Sequence, residues 1–280
     1  MFELWHSLIG ALPFEWASYG FMRQALLAVF ILAPTLALIG ALVVHQRMAF
    51  FSEAIGHGGL TGVAIGVFCG LGQPMWAMIC FAILLAVAIG FATRFSRAPS
   101  DTLIGAFTSF ALALGIVILS HGGNFNRYTS YLVGDILSIT PSEIAWLALV
   151  SLISIACVIL IFNRILFWGL NPSLSESRKC GRWLDHLFFS ILVAVVVTLS
   201  LPWIGILVVN ALLILPALAA RNLARNTVSY VWLAVGLSLA SCISGLLISY
   251  AYETATGATI VLVAMMFFIT TLALKPLLKR

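Results

Sequence analysis

The chain has 280 residues, 62% hydrophobic and only 8% charged, with a formal net charge of +5 and a mean hydropathy of +1.15. A water-soluble globular domain of this length is excluded, and the apolar stretches run near the roughly 20 residues a helix needs to cross about 30 Å of hydrocarbon. Period-two alternation is absent, so the expectation is an all-α polytopic bundle of eight or nine transmembrane helices in one domain, not a barrel.

In chain order, the opening stretch "MFELWHSLIGALPFEW" carries Glu3, has no basic leader and is broken by Pro13. It fails as a cleaved signal peptide and reads as an interfacial segment within residues 1–22. Spans are expected at 24–44, 53–72, 75–93, 102–120, 142–162, 184–200, 204–220, 228–250 and 258–275. With the N-terminus outside and the C-terminus cytoplasmic, twelve of the fourteen Lys and Arg fall on the cytoplasmic side and only Arg23 and Arg127 outside. The basic excess is therefore a topology signal and calls for no nucleic acid. The cysteines at 69, 80, 157, 180 and 242 have no C-x-x-C spacing, and four lie in apolar spans as small core residues.

The second span, "SEAIGHGGLTG", holds the chemistry. Every Lys and Arg, and the carboxylates Glu3, Glu15, Asp101, Asp135, Glu143, Glu176, Asp185 and Glu253, fall in loops or within a turn of a helix end. Glu53 and His57 alone lie on a span without a basic neighbour, and an unpaired charge in lipid costs about 2.5–3.5 kcal/mol or more. Positions i and i+4 share a helix face, so Glu53, His57 and Thr61 form one stripe of carboxylate, imidazole and hydroxyl. Carboxylate and imidazole suit zinc, manganese or iron(II), and the lack of a thiolate keeps such a site from becoming a trap. The neighbouring stripe, Gly58, Gly62, Gly66 and Gly70, repeats a small residue every fourth position and admits another helix closely. The alternative for the acidic residue is a carboxylate near a helix start with a histidine beside it, which residue types alone leave open.

Further along, the outer link "SHGGNFNRYTSYLVGDILSITPSE" carries His121 and Asp135 and suits either a docking protein or a plain solvated loop. In the longest cytoplasmic link, within 167–183, Asn171 and Pro172 read as an N-cap and first helical residue. Ser173-x-x-Glu176 reads there as a capping box, and Gly181 as the end of a short helix that either docks a partner or merely connects. In the span 204–220, Asn210 lies mid-helix and Pro216 interrupts the ladder among small alanines, as in a moving pore helix. There is no G-x-x-x-x-G-K-[ST], no H-E-x-x-H and no G-x-S-x-G. The chain thus has no ATP-cradling loop and no hydrolase constellation of its own, and is not read as an enzyme.

Several segments together resemble the membrane permeases of ABC importers for zinc, manganese and iron(II). They are "RMAFFSEAIGHGGLTGVAIG", "SDTLIGAFTSFALALGIVI", "YLVGDILSITPSEI", "IGILVVNALLILPALAARNLAR" and "YETATGATIVL", spread from about residue 23 to the end in the family's order. The third is most similar to the zinc-uptake branch. The family pattern sets an acidic residue, usually aspartate, four before a histidine; His57 matches the histidine, Gly62 the following glycine, and Glu53 stands where aspartate is usual. The resemblance implies a homodimer, a separate cytoplasmic ATP-binding subunit and an extracytoplasmic metal-binding protein. It also makes Asn171 to Gly181 the coupling helix, in a multi-pass protein of the bacterial inner membrane. Implied with it is ATP-driven import of a divalent cation, foremost zinc, by alternating access, with no permanently bound cofactor and ATP handled only by the partner. A proton-coupled secondary carrier of a metal or other small solute is the alternative, and it needs more titratable relays than the one pair present.

Overall fold

A computed structural model describes residues 15–96, 98–122, 134, 136–170 and 179–278. Within them lie nine long helices and no strand. They are α1 (Gly20–His45), α2 (Ala49–Phe68), α3 (Met75–Phe95), α4 (Ser100–Gly122), α5 (Pro141–Leu170), α6 (Lys179–Ile204), α7 (Ile206–Leu223), α8 (Thr227–Tyr252) and α9 (Thr256–Leu278). Each expected span finds its helix, most of them longer than the apolar run alone. Of the interfacial segment, residues 1–14 lie outside the described residues. Glu15–Ser18 form a short 3-10 turn, and Arg23 Nε donates to the Ala17 carbonyl at 2.6 Å. One of the two basic residues on the outer side of the sequence-based topology is thus engaged in closing that turn.

Eight of the nine helices are long and apolar enough to cross a membrane. The exception is α2, diluted by Ser52, Glu53, His57, Thr61 and its glycines. It can be less apolar because 13 of its 20 residues are buried against protein, and a helix sheathed by neighbours does not have to match lipid. Its register also differs from the expected 53–72. The helix starts four residues earlier and stops at Phe68, where the Leu71 N–H donates to the Gly66 carbonyl at 2.9 Å and the Gly70 N–H to the Val67 carbonyl at 3.0 Å. Gly70 has φ 70°, so the pattern is a Schellman stop with glycine in its left-handed position. The same motif ends α1: Met48 N–H reaches the Val43 carbonyl at 3.0 Å and Arg47 N–H the Val44 carbonyl at 3.2 Å, with Arg47 at φ 57°.

The described residues fall into two compact units, within Met1–Ala41, Gly134–Ile153 and Trp203–Arg280 for the first and Leu42–Val133 and Ser154–Pro202 for the second. Neither is one continuous stretch of sequence. In the first unit α7, α8 and α9 pack on one another. Ala37, Ala220 and Ala234 form a small-residue core there, which lets Gly40 of α1 lie directly on the backbone of Leu213, where a Cβ would collide with the Leu213 carbonyl. The Ser238 hydroxyl donates to the Ala33 carbonyl at 3.1 Å and the Tyr230 hydroxyl to the Ala41 carbonyl at 3.2 Å. The start of α8 is capped by the Asn226 Oδ1, which accepts from the Ser229 N–H at 2.7 Å. At the start of α5, Glu143 Oε2 accepts from the Thr140 N–H at 2.8 Å, a capping box. In the second unit α2 packs on both α4 and α3. Large side chains such as Leu84, Phe110, Leu160, Trp232 and Met266 are exposed, as expected of helix faces whose solvent is hydrocarbon.

Candidate functional site

The site is carried by the first half of α2. Its N-cap position, Met48, makes no side-chain capping bond, and the first turn holds no acidic residue. Glu53 is the fifth helical residue, beyond the turn where a carboxylate compensates free N–H groups, so the helix-start reading of this glutamate does not fit. His57 follows one turn later, and its Nε2 lies 4.0 Å from Glu53 Oε1.

That separation is too long for a hydrogen bond and close to what one ion can bridge. Two ligand atoms each about 2.0–2.1 Å from a zinc ion stand roughly 3.4 Å apart at a tetrahedral angle and at most about 4.2 Å. The two side chains are 48% (Glu53) and 28% (His57) exposed, which leaves them reachable from one side. The Nδ1 of His57 is buried and has no hydrogen-bond partner among the described residues. Among the described residues, neither side chain is hydrogen-bonded to another part of the fold. No group of three or more His, Cys, Asp or Glu positioned for a metal occurs among the described residues, so within them the pair could offer a cation no more than two side-chain ligands.

Thr61, expected beside them as a third oxygen, is engaged elsewhere. It is fully buried, and its hydroxyl donates to the Ala111 carbonyl of α4 at 2.5 Å. Gly115, one turn on, leaves the room: a Cβ there would fall 2.6 Å from Thr61 Oγ1. Thr61 bolts α2 to α4. Thr61→Val, which keeps the shape and removes the hydroxyl, is expected to cost about 1 kcal/mol of stability and to leave metal uptake unchanged, checked by thermal unfolding in detergent and radiometal uptake.

The glycine stripe divides into two roles. Cβ atoms added at Gly58, Gly62 and Gly66 would lie 2.6 Å from Leu85 Cδ2, 2.5 Å from Met78 Cα and 2.9 Å from Ala77 Cβ, all on α3. Gly70 does not belong to that contact: a methyl added there would find no neighbour within 4 Å, and the residue serves the turn that ends α2. The sequence spacing is the same for all four, and the helix end decides.

Asn210 and Pro216 lie in the other unit, on α7. The helix runs through Pro216 from Ile206 to Leu223, with Pro216 buried. Asn210 Oδ1 is buried without a partner among the described residues. The helical run breaks earlier, at Gly205 with φ 82° between α6 and α7. Asn171, Pro172, Ser173 and Glu176 lie outside the described residues. Gly181, expected to end a short helix there, is instead the third residue of α6; the long apolar run after it continues the helix that its missing Cβ was expected to stop.

Residues 18–275 match the ABC 3 transport family. The chain is 30% identical over 249 residues to the high-affinity zinc uptake system membrane protein ZnuB of Haemophilus influenzae, covering 89% of this chain and 95% of that protein. It is 31% identical over 250 residues to the manganese transport system membrane protein MntC of Listeria monocytogenes, covering 89% of each. Among solved structures, PsaBC from Streptococcus pneumoniae in complex with Fab superposes with a TM-score of 0.78 at 25% identity, over 97% of this chain and 95% of that one.

Proposed function

This chain belongs to the ABC 3 transport family, and on that footing we propose that it passes zinc inward between Glu53 and His57. It is a multi-pass permease of the bacterial inner membrane and belongs to a metal-type ABC importer whose ATP is hydrolysed by a separate subunit. The observation that carries the proposal is the pair itself: a carboxylate and an imidazole on the interior helix α2, 4.0 Å apart, neither of them hydrogen-bonded to another part of the fold among the described residues.

Two ligands hold a hydrated cation loosely, and loose holding is what a path requires, since a closed four-ligand cage releases its ion slowly. A second copy of the chain related by a two-fold would bring the count to four at the moment of passage. The longer glutamate arm, in place of aspartate, sets the carboxylate one methylene further from α2. Zinc is preferred over manganese because nitrogen ligation favours it, and one relative is named for zinc uptake.

In this reading the N-terminus is outside, an extracytoplasmic protein delivers the ion there, and the cytoplasmic link 171–178 with Gly181 behind it meets the ATPase. ATP binding and hydrolysis alternate the access, and α7, which carries Pro216 and follows the break at Gly205, belongs to the moving wall. Reconstitution of the permease with its ATPase in liposomes tests this. Radioactive zinc, with manganese in parallel, should enter only with ATP. Uptake by the lone chain under a pH gradient, without ATPase or nucleotide, would overturn it.

A further inference from the structure

The first turns of α6 are fastened to the last turns of α3, inside the same unit as the metal-site helix. The indole Nε1 of Trp183 donates to the Gly90 carbonyl at 3.4 Å. Phe91 meets that indole edge-on, with ring centroids 5.1 Å apart and planes at 66°. The guanidinium carbon of Arg94 stands 4.6 Å from the centroid of the Trp183 ring and 5.6 Å from that of Phe95. Gly90 makes the approach possible, since a Cβ there would fall 2.9 Å from Leu187 Cδ1, one turn further along α6. Two residues after Trp183, on a different face of α6, Asp185 pairs with Arg164 of α5 at 3.4 Å.

None of these residues is among the cation's ligands. They are linked to it by α3, which runs from this clasp to the face lying under Gly58, Gly62 and Gly66. Leu85, which touches Gly58 next to His57, is five residues before Gly90. At Gly62 the backbone of α3 at Ala77 and Met78 meets the bare backbone of α2, with no flexible side chain between to absorb a displacement by changing rotamer, and at Gly58 the Leu85 side chain fills the contact. A shift of the clasp end of α3 must be followed by α2 or must open a gap.

We propose that Trp183, held beneath Arg94, is the positioning residue through which movement of the cytoplasmic link reaches Glu53 and His57. The link ends where α6 begins, and Trp183 is the fifth residue of α6. Arg94 suits the post because a planar guanidinium lies flat on an indole while leaving its edge in water. The proposal deepens the importer reading and rests on it, for it needs an ATPase acting on that link.

The test uses the permease reconstituted with its ATPase, with zinc uptake and ATP hydrolysis measured on the same liposomes and zinc binding on the purified complex. Wild type is measured first: no ATP-dependent zinc or manganese uptake there would sink the importer reading itself, with the clasp resting on it. In Trp183→Ala, zinc moved per ATP is expected to fall about tenfold, with hydrolysis within about twofold of wild type and zinc binding unchanged. Trp183→Phe keeps a ring beneath Arg94 and should retain roughly half of the coupling. Arg94→Gln, at an exposed position, should lower the ratio about threefold and add nothing further in the Trp183→Ala background. An unchanged ratio in both Trp183→Ala and Arg94→Gln overturns the proposal. So does a parallel fall of uptake and hydrolysis in Arg94→Gln, which marks a merely structural role. Should Trp183→Ala fail to assemble, Arg94→Gln and Trp183→Phe decide between the same outcomes.

Discussion

His57→Ala is expected to lower metal uptake at least about tenfold while the protein still reaches the membrane. The separation of the two effects follows from the geometry. The imidazole makes no hydrogen bond at Nδ1 among the described residues and stands 4.0 Å from Glu53, so removing it breaks no bond to them that holds α2 in place. On the proposed reading, what is lost is one of the two ligands found among the described residues, and a single remaining carboxylate cannot compete with water for a divalent cation. Glu53→Ala should behave alike. Glu53→Asp, which draws the carboxylate back by one methylene, should keep uptake within about tenfold and change the ratio of zinc to manganese. Radiometal uptake with membrane levels checked by immunoblot reads all three.

Among the packing glycines of α2, Gly62→Ala is expected to have the largest effect on stability. A Cβ at this position would lie 2.5 Å from Met78 Cα and 3.0 Å from both Met78 N and the Ala77 carbonyl oxygen. All three are backbone atoms, so no rotamer change makes room and α2 must move off α3. The cost of such overpacking is about 1–3 kcal/mol or more, and the unfolding midpoint in detergent should fall by about 5 °C. Gly105→Ala in α4, where nothing lies within 4 Å of the added methyl, is the control. It should be neutral or slightly stabilising, because alanine is the better helix former by about 1 kcal/mol. Uptake by Gly62→Ala should fall with the fold, since α3 backs the segment that presents His57.

Hydropathy makes the helices legible, because lipid imposes length and composition on each span separately. It is least suited to α2, the helix that lipid does not shape and the one of the nine not apolar enough to be taken as a span. Both of its ends are displaced from the expected ones, since "AFFS" before Glu53 has no start signal and Gly70 shares the spacing of the packing glycines. The proximity of Glu53 and His57 is legible because both residues sit on one helix four apart. The role of Thr61 is not, because the Ala111 carbonyl it bonds is 50 residues away and no local pattern announces it. Trp183 and Arg94 are hidden for the same reason, in different helices with ordinary neighbours. At Gly181 a local signal is present and misleads: glycine tolerates a helix stop, and the apolar run that follows decides against one.

The most direct test of the account is the zinc K-edge absorption spectrum of the purified, zinc-loaded permease, recorded for wild type and for Glu53→Ala/His57→Ala. The account predicts a shell of nitrogen and oxygen at about 2.0–2.1 Å with no sulfur near 2.3 Å, and loss of that bound zinc in the double variant. Zinc held by sulfur, or the same shell and occupancy in the variant, would contradict it and place the cation elsewhere in the protein.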